Sequence, residues 1–541
     1  MSAPYVPNQP PPREPCNRYL GHTALREAVA REGAAWAEEE LLAAGAELGT
    51  LEWAARGDAA NRNPPRLLLL DRGGERLDDF EFHPAWHDCL GWLKRMGLAG
   101  ALWADPRPGA HVRRAALFQL FAEVECGSLC PTTMTHAATP LIRSDARLAT
   151  PWHALLAAPE HDPRRVAIHH KRGALIGMGM TERQGGSDVR ANITQAAPTD
   201  DGGYRLDGHK WFLSVPVSDA FLVTAQAPGG ISCFFVPRLT EDGAHNGLCI
   251  VRAKDKLGDR SNASAEVQFH AAHGLLIGEE GRGLATILEV ANHTRRDCAL
   301  GSTGIARAAL AEALHHARLR SAFGKPLADQ PLMTNVLADL ALEVEGQVAL
   351  AMYVAGLVDR AADDEEAAIL ARLLTPAAKY WICKRTPAIV AEAMEVVGGN
   401  GYVEDGPLPR LYRQAPLNSI WEGAGNIMCL DVLRVLAREP RAKAVLFTAL
   451  GETVGRSIDF DDAFSRLATG LVPDNEVGEV DARRLVECIA ELAAASRLLS
   501  DGATPVAHAW CASRLADNAT RTFGTLPPAS PFTLILDRAT P

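Results

Sequence analysis

The sequence predicts a mainly α-helical protein with a small antiparallel β domain at its centre. Three observations carry this. Apolar residues recur at three- and four-residue spacing in long Ala-, Leu- and Glu-rich stretches on both sides of the centre. Over 177–280, short runs of Val, Phe, Ile and Thr alternate with Gly and Asp turn signals. No proline lies between Pro237 and Pro326, so the chain after 283 can run as one long helix.

Composition supports a folded chain of several domains. At roughly 150 residues per domain, 541 residues suggest three or four. A 47% hydrophobic and 22% charged sequence can bury a core, which excludes disordered, collagen-like and coiled-coil classes. The net charge of −11, from 55 Lys+Arg and 66 Asp+Glu, argues against a general polyanion binder.

In chain order, residues 1–15 hold six prolines and read as an extended arm. The arm has no apolar run like that of a signal peptide, and no stretch reaches the ~18 apolar residues of a membrane span. A cytoplasmic protein without a membrane partner is therefore expected. Residues 16–176 read as a helical domain, from "LREAVAREGAAWAEEELLAAGAEL" to "VRRAALFQLFAEVECGSLC". Residues 177–280 form the β domain, with strands at "HKWFLSV", "AFLVTAQA", "ISCFFVPR" and "AEVQFH". Residues 281–440 carry four long helices with short connections, an antiparallel four-helix bundle that Glu439-Pro440 ends. Residues 441–541 read as a helical extension to about Asp517, then Pro- and Thr-rich. Eleven scattered cysteines, the closest pair (Cys126 and Cys130) at helical spacing, read as reduced thiols with no metal site.

Four segments can carry chemistry. "GMGMTERQGGSDV", 177–189, pairs Gly185-Gly186 with Thr181, Ser187 and Asp188. Such a loop can bond a ring edge or a phosphate, or simply turn into the β domain. In "GHKWFLSVPVSDA", Trp211 can stack on a cofactor or pack in the core. "LRSAFGKPLADQPLM" places Arg320 at a helix end, as a cation on the helix dipole or as a ligand. In "EVVGGNGYVEDGPLPRLYRQAPLNSIWEGAGNIMCL", Glu422 beside Ile420 and Trp421 suits a general base if desolvated, and is otherwise a solvent-facing carboxylate. No Gly-x-Gly-x-x-Gly turn follows a strand, so any nucleotide cofactor must be held another way.

All four segments, in this order, resemble the acyl-CoA dehydrogenase flavoprotein family. "GSLCPTTMTHAATP", "KLGDRSNAS", "RLYRQAPLNSIWEG" and the extension after Pro440 are similar to its branch induced by DNA alkylation. The resemblance implies an acyl-CoA dehydrogenase-like fold: a helical N-domain, a β-barrel domain and a four-helix bundle, plus the C-terminal extension. It implies FAD, held by Met180, Thr181, Gly186, Ser187, Trp211, Ser214, Arg320, Phe323, Gln330, Gly398, Gly399, Trp421, Gly423 and Asn426. It implies Glu422 as the catalytic base, with Ser187 and Arg295 meeting an acyl-CoA-like substrate. It further implies a homotetramer, with Arg320 reaching a neighbouring subunit's FAD, and a DNA-protective role. The alternative it leaves open is a DNA-binding flavoprotein that protects DNA or detoxifies alkylating agents with little acyl-CoA turnover. Three features depart from the pattern. Ser214 stands where Thr is common, and Glu395 where Gln is common. Residues 441–541 hold ten Lys+Arg against thirteen Asp+Glu, 10 − 13 = −3, so any double-stranded DNA binding should be weak and salt-sensitive. Basic spots remain at 164–172 and at Arg295-Arg296.

Overall fold

The helix Pro331–Arg360 is apolar on every side and is buried without a break from Leu337 to Leu357. A helix of that pattern needs neighbours all round. By length and composition it could cross a membrane, yet 94% of its most apolar stretch is buried inside the protein. The computed structural model describes residues 7–13, 15–471, 478–500 and 504–540. Part of the expected arm, residues 1–6 and 14, therefore lies outside the described residues.

The chain folds as two compact units. The first comprises Met1–Trp53, Pro108–Val124 and Cys298–Pro541. In it, Pro331–Arg360 packs against Glu365–Val397, Ala110–Ala122 and Ala482–Ser500. Pro331–Arg360 and Glu365–Val397, with the C-terminal part of Gly283–Leu319 and with Gly425–Arg438, supply the four bundle helices the sequence predicts. Asp364 caps Glu365–Val397 by accepting from the Glu366 and Ala367 amides. That helix ends at Gly398, whose φ of +73° favours glycine.

Three carboxylates lie in the buried stretch Leu337–Leu357 of the helix Pro331–Arg360, and each is met by arginine. Arg514 reaches Asp339 at 2.6 Å and Glu343 at 2.9 Å; Arg385 holds Glu343 at 2.6 Å. Arg538 holds Glu345 at 2.6 Å. Unpaired, such charges would be strongly destabilising. Arg514 and Arg538 come from the C-terminal extension, so that extension completes the bundle core. Its helices Ala442–Gly451, Ile458–Gly470, Ala482–Ser500 and Pro505–Arg514 follow the expectation. Phe532–Ala539 is an additional helix in the part expected to be Pro- and Thr-rich. Ile535 is fully buried there, and Arg538 also pairs with Glu27 at 2.6 Å.

The second unit comprises Ala54–Arg107 and Glu125–Asp297. Its strands close a ring: Ala220–Ala227, Gln195–Pro198, Tyr204–Ser214, Ser264–Ile277 and Gly230–Pro237, which pairs back with Ala220–Ala227. Closure removes exposed edges. The barrel differs from the sequence reading in one respect. Ile176–Gly179 pairs parallel to Ala220–Ala227, so the sheet is mixed rather than antiparallel throughout. The connection 180–219, which holds two further strands, permits that crossing, and Gln195 pairs parallel with Gln226 as well. A second difference lies upstream, where the sequence reads as helix. Arg66–Leu70 and Arg76–Glu81 form a hairpin, closed by Asp71, whose Oδ1 accepts from the Gly73 and Glu75 amides, and by Gly74 at φ +88°.

Candidate active site

The barrel unit carries the first two segments. The loop 180–189 is fixed by a buried ion pair, Lys210 Nζ to Glu182 Oε1 at 2.8 Å. Glu182 also accepts from the Ile193 amide at 2.7 Å. Burial alone would raise the Glu182 carboxyl; Lys210 and the donated bonds outweigh it and bring it down to about 2. The Trp211 amide donates to the Thr181 carbonyl at 2.8 Å, and Asn192 Nδ2 donates to the Met180 carbonyl at 2.6 Å. Met180, Thr181 and Trp211 therefore share one rigid patch.

The two adjacent glycines do different jobs. A Cβ on Gly185 would meet Asn192 Oδ1 at 2.6 Å, so Gly185 serves the fold. A Cβ on Gly186 would meet nothing closer than Thr181 at 3.6 Å, and Ser187 beside it is exposed. That bare backbone is available to a ligand. Trp211 is more encumbered than the sequence suggests: Lys254 Nζ lies 3.5 Å from its ring centroid, with Arg183 at 5.0 Å and Arg252 at 5.7 Å. Stacking by a cofactor ring requires another face of the indole or displacement of the ammonium. Trp211 and Arg183 line a groove of about 410 Å³ with His209 and His270. Ser214 is half-buried at the end of the same strand.

The bundle unit carries the other two segments. Glu422 has φ +59° and Gly423 φ +101°. Left-handed backbone at a non-glycine residue costs about 1–3 kcal/mol and persists only where the surroundings enforce it. Here they do. Lys379, 1% exposed on Glu365–Val397, donates to the Trp421 carbonyl at 2.6 Å and also to the Gly423 carbonyl. The Trp421 indole donates to Asn418 Oδ1 at 2.8 Å, and Asn418 Nδ2 donates to Ser302 Oγ at 3.1 Å. A Cβ on Gly423 would meet Met428 at 2.6 Å. Gly398 and Gly399 have nothing within 4 Å of where a Cβ would sit, whereas Gly401 is crowded by the Met394 carbonyl at 2.5 Å.

Arg320, Phe323 and Gln330 come together on the hairpin Ser321–Ala322/Lys325–Pro326. Gln330 Nε2 donates to the Ala322 carbonyl at 2.8 Å. Phe323 stands at the turn, 99% exposed and at φ +51°. The N-terminal segment grips the same hairpin. Asn8 donates to the Ser321 carbonyl at 2.8 Å and accepts from the Ser321 amide at 2.7 Å, and its own carbonyl accepts from Arg320 at 2.5 Å.

This arrangement can be set beside known proteins. Residues 8–163 match the adaptive response protein AidB N-terminal domain, 177–272 the acyl-CoA dehydrogenase middle domain and 281–437 the acyl-CoA dehydrogenase C-terminal domain. The protein named "Putative acyl-CoA dehydrogenase AidB" of Escherichia coli (strain K12) is 51% identical over 509 residues, 93% of each chain. The chain belongs to the acyl-CoA dehydrogenase family. Within it, acyl-CoA dehydrogenase family member 11 of Caenorhabditis elegans is 32% identical over 421 residues, 74% of this chain and 66% of the relative. The crystal structure of Caenorhabditis elegans ACDH-11 in complex with C11-CoA superposes with a TM-score of 0.85 at 25% identity, covering 100% of this chain and 93% of that one.

FAD is the cofactor. The residues fit it: open backbone at Gly186, Gly398 and Gly399, hydroxyls at Thr181 and Ser187, and a guanidinium at Arg320 suited to a pyrophosphate.

Other expectations change. Arg295 is 4% exposed, so no surface basic spot exists there. In 164–172, Lys171 is buried on Asp219 at 3.0 Å, Arg165 donates to the Leu77 carbonyl at 2.6 Å and Arg164 pairs with Asp162 at 2.7 Å. Asn426 is exposed, but its Oδ1 takes two bonds from Arg483, at 2.9 and 2.7 Å. Sequence reasoning missed Lys379, Arg483 and Asn8. Lys379 left a signal, a lone cation in the apolar run "TPAAKYWIC"; the other two left none.

Proposed function

We propose that the protein dehydrogenates an acyl-CoA thioester between its α- and β-carbons, with Glu422 as the base. One observation carries this: the Trp421-Glu422-Gly423 turn holds a carboxylate in enforced left-handed backbone, as pre-organised functional groups commonly are. FAD, when bound, would supply the two-electron acceptor for the hydrogen that leaves the β-carbon. Glu422 takes the α-proton. Its backbone amide donates to the thioester carbonyl and stabilises the charge that grows there as the proton leaves. In the barrel unit, Thr181, Ser187 and Ser214 would hold the cofactor ring edge, while Arg295 is too buried to meet the CoA moiety; in the bundle unit, Trp421 would keep water from the base. Arg320, with Phe323 and Gln330, serves the pyrophosphate side of FAD.

The C11-CoA held by the worm relative supports a thioester substrate. The almost fully exposed Phe323, with Leu332 84% exposed on the helix that follows, supports a homotetramer in which a second copy covers this hairpin. Eleven thiols, seven of them buried, support the cytoplasm as compartment. The match of residues 8–163 to the adaptive response protein AidB N-terminal domain supports a role in an adaptive response, which we take to be the one to DNA alkylation that the sequence resemblance implies.

The test is anaerobic titration of the yellow protein with butyryl-, octanoyl- and undecanoyl-CoA, following flavin absorbance. Bleaching by at least one member is expected. Unchanged absorbance with all three overturns the dehydrogenase reading.

A further inference from the structure

We propose that Lys379 is a positioning residue for the thioester carbonyl, acting through the peptide group between Trp421 and Glu422. The proposal rests on Glu422 as base and donor. It starts from a buried cation with an unusual set of partners. Lys379 is 1% exposed, and among the described residues no carboxylate lies within ion-pair distance of it. Its Nζ donates instead to two backbone carbonyls, Trp421 at 2.6 Å and Gly423, which bracket Glu422 in the chain. A buried ammonium is costly to keep unless something uses its charge.

The peptide group explains the use. A trans peptide is planar, with its C=O and N–H pointing in opposite directions. The Trp421 carbonyl and the Glu422 N–H belong to one such plane. With the carbonyl tied to Lys379, the N–H must point away from the Lys379 ammonium. Hydrogen bonding to an ammonium also polarises the amide, so the Glu422 N–H becomes a stronger donor. The second bond, to the Gly423 carbonyl, fixes the Gly423–Ala424 peptide, so that the turn carrying φ +59° at Glu422 is held on both sides of that residue. The Trp421 side chain is held separately through Asn418 and Ser302. Lys379 therefore controls the backbone of the turn, while Asn418 controls its indole.

The experiment compares Lys379→Met, which keeps the stem and removes the donors, with Lys379→Arg, which keeps charge and donors. Lys379→Gln stands in if the methionine variant does not fold. Three quantities are read. In FAD-free protein, amide exchange over 420–426 should speed up at least roughly tenfold in Lys379→Met, with exchange in Pro331–Arg360 unchanged. With 2-octenoyl-CoA bound, the red shift of the thioester carbonyl stretch seen in wild type should shrink in Lys379→Met and return in Lys379→Arg. The limiting rate of flavin reduction by octanoyl-CoA should fall roughly 10- to 100-fold, with its apparent affinity within about threefold, the pattern of lost transition-state stabilisation.

A carbonyl stretch and exchange equal to wild type in Lys379→Met overturn the proposal. So does a loss that Lys379→Arg does not restore at all, since that marks mere packing. Failure of the base reading is separable. If Glu422→Gln reduces flavin as fast as wild type, the base is elsewhere, while the carbonyl stretch and the exchange data still decide on Lys379.

Discussion

At the residue scale, Glu422 and Glu182 show how environment divides the work of two carboxylates in separate motifs. Glu422 lies on a turn whose backbone is imposed by Lys379. Glu422→Gln keeps the shape, so folding and FAD content should be retained. Flavin reduction by an active acyl-CoA should fall by roughly 10²–10⁴-fold, the worth of a positioned base. Stopped-flow bleaching with one thioester decides it, and equal rates would remove Glu422 from the mechanism. Glu182 is structural, fully buried on Lys210. Its carboxyl titrates at about 2 in the fold against an ordinary value of 4.5. The unfolded chain therefore binds the proton first on acidification. The stability Glu182 supplies is complete above about pH 4.5 and is lost as pH falls toward 2. Urea unfolding across that range should show a steeper loss for wild type than for Glu182→Gln; parallel curves would contradict the assignment. Glu422 could be singled out in the sequence because its neighbours form the local pattern on which the family resemblance rests. Lys379 was not assigned, since its effect depends on a contact across 42 residues of chain.

At the scale of elements, periodicity and turn signals recovered the bundle helices and four of the seven strands of the barrel sheet, because each of these buries a face whose spacing is written in consecutive residues. What they missed has a common cause. The hairpin Arg66–Leu70/Arg76–Glu81 interrupts a helical-looking region through turn chemistry at Asp71 and Gly74. The parallel pairing of Ile176–Gly179 is set by topology rather than by composition. Phe532–Ala539 is stabilised by burial of Ile535 and by the Arg538 ion pairs, not by helix propensity. The Arg320 hairpin makes the same point. It is two residues a side, too small to hold itself. Asn8 supplies two side-chain bonds to Ser321 and a carbonyl to Arg320. Asn8→Ala should loosen the hairpin and weaken FAD binding severalfold, since each lost bond is worth about 0.5–1.5 kcal/mol. Arg320→Ala should lower FAD occupancy and loosen the proposed assembly together, because the proposed sharing of the cofactor between copies would link the two equilibria. Fluorescence titration of FAD-free protein with FAD, run beside sedimentation, checks both; an Asn8→Ala protein with wild-type affinity would show that the arm is incidental to the site.

At the scale of the molecule, the question is where free positive charge remains. The chain carries −11 overall, and the structure has already used most of the arginines in its extension. Arg441, Arg466, Arg514, Arg521 and Arg538 pair with carboxylates. Arg483 holds Asn426, Arg497 lies 4.4 Å from the Tyr353 ring centroid, and Arg456 donates to the Leu499 and Ser500 carbonyls. The 164–172 spot is reduced in the same way, since Lys171 and Arg165 point into the fold. A surface so depleted can neutralise few phosphates per subunit, and only an assembly of several copies could add them up. DNA binding, if measured by anisotropy of a labelled duplex, should therefore be weak at ~50 mM salt and nearly gone at ~200 mM. The log–log slope should be about 0.9 per phosphate neutralised and small in total. Arg164→Ala with Arg172→Ala should lower that slope further, because Arg164 and Arg172 are the exposed cations of the patch. A slope as steep as that of a dedicated DNA binder would mean that assembly builds a basic surface absent from the single chain. A slope near zero with measurable affinity would mean that contact with DNA is not electrostatic at all.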